Sequence, residues 1–159
     1  MKLDLERQGP GRSSLDLSGE IQLDWGAERP AWASVQGRLQ VDNLDRRFLM
    51  SGELEACGRG ECARCLEPCE IRWQAPVEFM VLRDLDTDEG RGDSMVILQQ
   101  TGEVDLREVI RESLLLAFPQ APLCRDSCRG LCPHCGINRN DGRCDCEETP
   151  TDPRWEGLP

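Results

Sequence analysis

Long apolar runs are absent from the sequence, and no segment approaches the roughly 20 consecutive apolar residues of a membrane-spanning helix. The residues from Met1 to Arg7 are largely charged and form no apolar run, so we expect no secretory signal peptide and a cytoplasmic location. The chain has ten cysteines. Because the cytosol keeps thiols reduced, we do not expect them to form a framework of disulfide bonds. Cysteines at C-x2-C spacings in a reducing compartment indicate metal ligands.

Residues that commonly carry catalysis are also scarce. The chain contains no tyrosine and a single histidine, His134, which lies inside a C-x2-C pair. No glycine-rich phosphate loop, Ser/His/Asp set or nucleophile elbow is present. A catalytic zinc site keeps an open position and usually includes a histidine or carboxylate ligand. We therefore predict that the protein is not an enzyme and that its metal is structural.

Basic residues are outnumbered by acidic ones, 19 to 30, and the formal net charge is -11. Such a field opposes binding of nucleic acid by the surface as a whole. An RNA contact would need a local basic patch, and otherwise the partner would be a basic protein. Eighteen of the basic residues are arginine, which suits bidentate contacts with phosphate, although solvated loop charges are the alternative interpretation.

Alternation of apolar and polar residues predicts most of the fold. It marks strands at residues 14–25, 35–41, 48–56 and 71–81, and a short apolar run at residues 95–98 adds a fifth. Polar alternate faces favour an antiparallel sheet or open barrel with one side covered. Pro76 lies inside the fourth strand, so we expect that strand to be at an edge or bulged there.

One helix is predicted from Leu106 to about Phe118, with Asp105 as its N-cap, Glu108 at the third position and Pro119 after its end. Its apolar stripe would pack on the sheet. The predicted class is therefore α+β, with a β-rich sheet, one packed helix and a cysteine-rich zinc-knuckle segment. We expect a β-rich domain over residues 1–118, the zinc-knuckle segment docked on it over residues 119–146, and a C-terminal tail over residues 147–159.

The cysteines form two clusters in the sequence. The first contains Cys57, Cys62, Cys65 and Cys69, and the second contains Cys124, Cys128, Cys132, Cys135, Cys144 and Cys146. In each cluster a C-x2-C pair lies at a predicted turn, where two thiolates can converge on one ion while backbone N–H groups point at the sulfurs. Both pairs therefore predict zinc knuckles.

Two partitions of the cysteines are compatible with four sulfurs per ion. In the favoured one, two Zn2+ ions are bound, one by Cys62, Cys65, Cys124 and Cys128 and the other by Cys132, Cys135, Cys144 and Cys146. The first site would join the tail to the sheet across about 60 residues, where a cross-link restrains the unfolded chain strongly. Cys57 and Cys69 would then be small buried side chains. The alternative groups residues 57, 62, 65 and 69 in one site and residues 124, 128, 132 and 135 in the other.

Several motifs occur in an order that resembles the YceD-like family. They are Cys62-Ala-Arg-Cys65-Leu-Glu-Pro68, the helix ending Ala117-Phe118-Pro119, the stretch from Cys124 to Asn138, and the closing Asp152-Pro153-Arg154-Trp155. The resemblance implies a role in accumulation of large-subunit ribosomal RNA, and hence in ribosome biogenesis. Arg139 stands where the family is expected to have leucine, and Cys57 and Cys69 are additional to its pattern.

Four arginines of the cysteine-rich segment are the candidate nucleic-acid contacts: Arg125, Arg129, Arg139 and Arg143. Arginines held on rigid turns can contact rRNA phosphates. The predicted partner is the precursor of the large ribosomal subunit, through its rRNA or a basic ribosomal protein, with no membrane and no small-molecule substrate. The alternative function is a redox-switched zinc chaperone, since thiolates are the oxidisable form of cysteine.

Overall fold

The computed structural model describes residues 1–23, 31–44, 47–82, 95–98 and 102–146. Its elements, in chain order, are β1 (Lys2–Asp4), β2 (Gly11–Leu23), β3 (Ala31–Asn43), β4 (Arg47–Glu61), β5 (Pro68–Leu82), β6 (Met95–Leu98), β7 (Glu103–Asp105) and α1 (Arg107–Ala117). The predicted tail at residues 147–159 and the end of the first predicted strand lie outside the described residues.

The main sheet has five strands in the order β2-β3-β4-β5-β6 and remains open rather than closing into a barrel. Strands β2 to β5 form an antiparallel meander, whereas β6 runs parallel to the end of β5. A second, two-stranded sheet pairs β1 with β7. The predicted α+β class with a mostly antiparallel sheet is confirmed, and the parallel pairing of β6 with β5 is the one departure from the antiparallel pattern.

Pro76 lies in a continuous register opposite Glu53, so the strand has no bulge there. Strand β6 pairs only with residues 79–82 of β5. Within the part of the chain that the structure describes, Pro76 therefore has a neighbouring strand on one side only. This edge position suits a residue that lacks a backbone N–H group.

One face of the sheet forms the core. Alternate residues of β4 and β5 are almost completely buried, from Phe48 and Met50 to Phe79 and Val81. Strands β3 and β4 approach each other closely at Gly52, where a Cβ atom would lie 2.5 Å from the carbonyl oxygen of Arg38. Only glycine fits at this point.

Helix α1 covers the buried face and contacts β5 and β2. Its apolar side inserts Val109, Ile110 and Leu114 into the core. The indole nitrogen of Trp73 on β5 donates a hydrogen bond to the Leu114 carbonyl at 3.1 Å. This bond satisfies a carbonyl of the last helical turn, and the Trp73 ring also meets Phe118 edge-on at 5.1 Å between centroids.

The helix begins one residue later than predicted. Leu106 is the N-cap and makes no side-chain capping bond, while the Asp105 carboxylate accepts a hydrogen bond from the Arg107 N–H at 3.1 Å. Glu108 pairs with Arg111 instead of closing a capping box. Asp105 is displaced from the cap because it ends β7, and the burial of Leu106 sets where the helix starts. In the described residues, no helix is long and apolar enough to cross a bilayer.

Candidate metal centres

Two turns of the same construction present the C-x2-C pairs. In the first, the Cys62 N–H donates to Glu67 O at 3.0 Å and the Leu66 N–H donates to Cys62 O at 2.9 Å. In the second, the Cys132 N–H donates to the Ile137 carbonyl at 2.8 Å and the Gly136 N–H donates to the Cys132 carbonyl at 2.9 Å. Both C-x2-C pairs therefore lie in the turns expected from the sequence.

The residue after each second cysteine has left-handed backbone. Gly136 has φ 74° and Leu66 has φ 61°. Glycine adopts this conformation without steric cost, whereas a leucine there is strained. The Leu66 side chain is also 59 % exposed, so no burial offsets the strain. The shape of the first knuckle is thus imposed by its surroundings rather than by the preference of Leu66.

The first group of sulfurs, which we call centre 1, consists of Cys62, Cys65, Cys124 and Cys128, whose Sγ atoms all lie within 4.8 Å of one another. The Cys62–Cys128 and Cys65–Cys124 sulfur distances are 3.7 and 3.8 Å. With metal–sulfur bonds of about 2.3 Å, sulfurs at the corners of a tetrahedron lie about 3.8 Å apart. Centre 1 therefore fits a metal ion with four thiolate ligands.

The second group, centre 2, consists of Cys132, Cys135, Cys144 and Cys146, again with all Sγ atoms within 4.8 Å of one another. Cys132 is buried, Cys135 is exposed, and the other two are half-buried. Centre 2 could also hold a metal ion, but it is more open to solvent than centre 1, where three of the four cysteines are buried.

The cysteine-rich segment is attached to the first knuckle by backbone contacts as well as by sulfur. The Ala63 N–H donates to the Pro122 carbonyl at 2.8 Å, and the Leu131 N–H donates to the Arg64 carbonyl at 3.0 Å. The Arg64 guanidinium reaches across to the Cys128 carbonyl at 3.0 Å. Arg64 therefore holds the segment in place with both its backbone and its side chain, a role that its position between two cysteines did not indicate.

Backbone N–H groups favour one thiolate in each centre. Those of Cys124 and Cys65 lower the pKa of Cys62 to about 6. Those of Cys135 and His134 lower the pKa of Cys132 to about 6. For Cys132 both N–H groups belong to its own turn, whereas for Cys62 the Cys124 N–H comes from the cysteine-rich segment and the Cys65 N–H from the turn.

Other cysteines have raised pKa values. Desolvation within the cluster and hydrogen bonding with Cys128 raise the pKa of Cys124 to about 12. Hydrogen bonding with Cys135 and desolvation raise the pKa of Cys146 to about 12. Four sulfurs this close cannot all ionise unless a cation neutralises them, so metal binding to either centre would release protons.

Asn140 links the two centres, and sequence reasoning missed it. Its side-chain Nδ2 donates to the sulfur of Cys128 at 3.4 Å, and its Oδ1 accepts a bond from the Arg129 N–H at 2.9 Å. The hydrogen bond from Asn140 lowers the pKa of Cys128. Asn140 lies in a turn, in which the N–H groups of Asp141 and Gly142 donate to the Asn138 carbonyl at 3.1 and 3.2 Å.

Cys57 and Cys69 belong to neither group of four. Cys57 is half-buried on β4 opposite Arg72, and Cys69 is half-buried against the sulfurs of centre 1. Burial raises the pKa of both thiols. The structure thus groups the cysteines as in the favoured partition and not as in the alternative, while their role as metal ligands stays a prediction.

The four candidate arginines are alike in that their guanidinium groups form no ion pair within the described residues. Arg125, Arg129 and Arg143 are exposed and Arg139 is half-buried. Arg129 and Arg139 lie on neighbouring segments, because the Arg139 N–H donates to the Gly130 carbonyl at 2.9 Å. No ion pair with any described residue engages these four guanidinium groups, whereas arginines on the sheet and helix, such as Arg12, Arg38 and Arg107, are paired with carboxylates.

Comparison with protein families gives a match over residues 50–159 to the family described as "Large ribosomal RNA subunit accumulation protein YceD". This region includes both groups of four cysteines, helix α1, strands β5 and β6 and most of β4, but not β2 or β3. No solved structure matches the chain.

Individual relatives are bacterial and plant proteins. Proteins described as uncharacterized, from Mycobacterium bovis and Mycobacterium tuberculosis, are each 34% identical over 150 residues, covering 94% of this chain and 68% of the relative. A chloroplastic protein of Arabidopsis thaliana, described as large ribosomal RNA subunit accumulation protein YCED homolog 1, is 25% identical over 176 residues. That match covers 89% of this chain and 55% of the plant protein.

Proposed function

Because this chain belongs to the YceD family of large ribosomal RNA subunit accumulation proteins, we propose that it is a non-enzymatic ribosome biogenesis factor that binds the precursor of the large subunit. The family description links its members to ribosomal RNA and names no reaction. The family match is the observation that carries this proposal, and the geometry suggests how the chain makes the contact.

In this proposal, Zn2+ occupies both centres and holds the cysteine-rich segment rigid. Support comes from the all-sulfur donor sets, since tetrahedral groups of four cysteines are typical of structural zinc. Centre 1 draws ligands from the β4–β5 hairpin and from the segment after α1, so its ion would fix the segment to the sheet. The metal therefore serves binding indirectly, by presenting the surface of the segment in one orientation.

The RNA contact is proposed to lie on Arg125, Arg129, Arg139 and Arg143. Their guanidinium groups are not neutralised by carboxylates of the described chain, so their donors are available to phosphate oxygens. Four contacts would give a shallow salt dependence, with a log–log slope on the order of 2 to 4. Binding to bare RNA would be weak, because the net charge of -11 repels the polymer at longer range.

A basic ribosomal protein is the proposed second contact. The outer face of the sheet carries exposed carboxylates at Glu20, Glu53 and Glu78, and none of these three forms an ion pair within the described residues. These charges would attract a basic protein of the precursor particle while the arginines meet its RNA. Affinity should therefore be higher for the particle than for its naked RNA.

Co-sedimentation with purified large-subunit precursors tests the proposal. The test variant carries Arg125→Glu and Arg129→Glu, and the matched control carries Arg7→Glu and Arg107→Glu, which make the same charge change away from the segment. We expect the test variant to lose association at both of two salt concentrations, with its zinc content intact, and the control to bind like the wild type. Equal binding of all three proteins would show that these arginines do not contact the precursor. Absence of wild-type association would refute the proposed function.

A further inference from the structure

The two metal centres share no cysteine, but a side chain from the loop of centre 2 contacts a cysteine of centre 1. Asn140 lies in the loop between Cys135 and Cys144, two cysteines of centre 2. Its side chain nevertheless donates a hydrogen bond to Cys128 of centre 1 at 3.4 Å. One amide group therefore belongs to the loop of one centre and to the surroundings of the other.

Three further hydrogen bonds, two by the side-chain amide and one by the backbone N–H, hold Asn140 in position. Its Oδ1 accepts a bond from the Arg129 N–H at 2.9 Å, and its Nδ2 also donates to the side-chain oxygen of Asn138 at 2.8 Å. The Asn140 N–H donates to the same oxygen of Asn138 at 3.0 Å. Because Oδ1 already accepts a backbone N–H, the amide cannot flip, and its nitrogen must face the sulfur.

We propose that Asn140 is a positioning residue through which occupancy of centre 2 raises the metal affinity of centre 1. The inference rests on the proposed function, in which both centres bind zinc. A metal ion in centre 2 would close the loop that carries Asn140, and the ordered loop would present its amide to Cys128. Hydrogen bonds to a ligating group orient it, and their loss typically lowers metal affinity about 10- to 100-fold.

The coupling must also act in reverse. If an ion in centre 2 tightens binding at centre 1 by some factor, an ion in centre 1 tightens binding at centre 2 by the same factor. Centre 2 is the more exposed of the two, so it would lose its ion first to a chelator or an oxidant. Its loss would then loosen centre 1 and the attachment of the segment to the sheet.

Asn140→Asp is the most informative substitution. It preserves the shape of the side chain and the oxygen that accepts the Arg129 N–H, but it replaces the donor beside Cys128 with a second oxygen. Asp141→Asn is the matched control, because Asp141 is the neighbouring residue, is exposed, and forms no side-chain hydrogen bond or ion pair with the described residues. A Cys144→Ser variant reports centre 1 when centre 2 is disabled.

The measurement is site-resolved zinc affinity. Each protein is equilibrated with zinc and increasing chelator and then alkylated, and mass spectrometry follows protection of Cys65 for centre 1. We expect Cys144→Ser and Asn140→Asp each to weaken zinc binding at centre 1 by 10- to 100-fold, and Asp141→Asn to leave it unchanged. The double variant should be no weaker than the more severe single one, because both changes remove the same interaction.

Three results would contradict the inference, the first by overturning the metal centres and the other two by overturning the coupling alone. A wild-type chain that binds fewer than two zinc ions would overturn the proposed metal centres, and the coupling with them. A chain that binds two ions, but whose centre 1 affinity is unchanged in Asn140→Asp or in Cys144→Ser, would overturn the coupling alone. Additive losses in the double variant would do the same, since Asn140 would then act independently of centre 2.

Discussion

Replacing Gly130 with alanine should weaken the attachment of the cysteine-rich segment to the first knuckle. Gly130 has φ 69°, and a Cβ atom there would lie 3.0 Å from the carbonyl oxygen of Arg64. That oxygen accepts the Leu131 N–H, one of the bonds that attach the segment. Gly136 is a matched comparison, because its φ of 74° is similar but nothing lies within 4 Å of its added Cβ.

The two substitutions share one energetic cost and differ in another. Left-handed backbone costs an alanine about 1 to 2 kcal/mol, partly offset by about 0.4 to 1 kcal/mol from the stiffer unfolded chain. Gly136→Ala should therefore destabilise the protein by about 1 kcal/mol. Gly130→Ala should destabilise the protein by about a further 1 to 3 kcal/mol. The added methyl group contacts the Arg64 carbonyl oxygen and weakens the hydrogen bond that this oxygen accepts from the Leu131 N–H.

Urea unfolding of the zinc-loaded proteins measures this difference, and metal analysis after mild chelation reports whether centre 1 is weakened. We expect Gly130→Ala to be the less stable variant and to release zinc from centre 1 at lower chelator concentration. Equal destabilisation by the two substitutions would refute the reasoning, since it would mean that the close approach of Gly130 to Arg64 carries no energy.

Three further changes test the fold. Trp73→Phe should lower the free energy of unfolding by about 1 to 3 kcal/mol in urea titrations, because it leaves the buried Leu114 carbonyl without its indole donor. Gly52→Ala should abolish soluble folded protein or destabilise it by several kcal/mol, since its Cβ would meet backbone oxygen at 2.5 Å. The guanidinium hydrogen bond lowers the pKa of Asp105 to about 2, so its stabilising effect is complete above pH 4 and is lost as pH falls through 2. The Asp105 side chain is 41% exposed, so solvent screens its interaction with Arg107. The free energy of unfolding of the wild type should therefore exceed that of Asp105→Asn by less than about 1 kcal/mol, and this difference should vanish when the pH is lowered below 2.

Local patterns were sufficient to predict the four long strands of the main sheet and its helix. The four long strands alternate buried and exposed residues. The structure confirms all four; β3, β4 and β5 are longer at both ends than predicted, and β2 begins three residues earlier. The pairing of β1 with β7 could not be predicted, because two three-residue strands about 100 residues apart leave no periodic signal. The parallel direction of β6 was missed for a related reason, since an apolar run of four residues carries no information on strand direction.

The cysteine spacings predicted the two turns, and tetrahedral geometry favoured the grouping of the sulfurs that the structure contains. The roles of Arg64, Gly130 and Asn140 could not be predicted, because each depends on a contact between the first knuckle, the first stretch of the segment and the loop of centre 2. The predicted boundary between a β-rich domain and the cysteine-rich segment, near residue 118, stays a proposal. Limited proteolysis with and without zinc would test it.

The central claim is that two ions are bound by sulfur alone, with centre 1 joining hairpin and segment. X-ray absorption and metal analysis of the untagged wild type and of single cysteine variants test it most directly. We predict two zinc ions per wild-type chain in all-sulfur coordination. Cys65→Ser and Cys128→Ser should abolish binding at the same centre, whereas Cys146→Ser should abolish binding at the other and leave the sheet folded. Nitrogen or oxygen in the first coordination shell of the wild type, or loss of one shared ion in Cys65→Ser and Cys146→Ser, would contradict the claim.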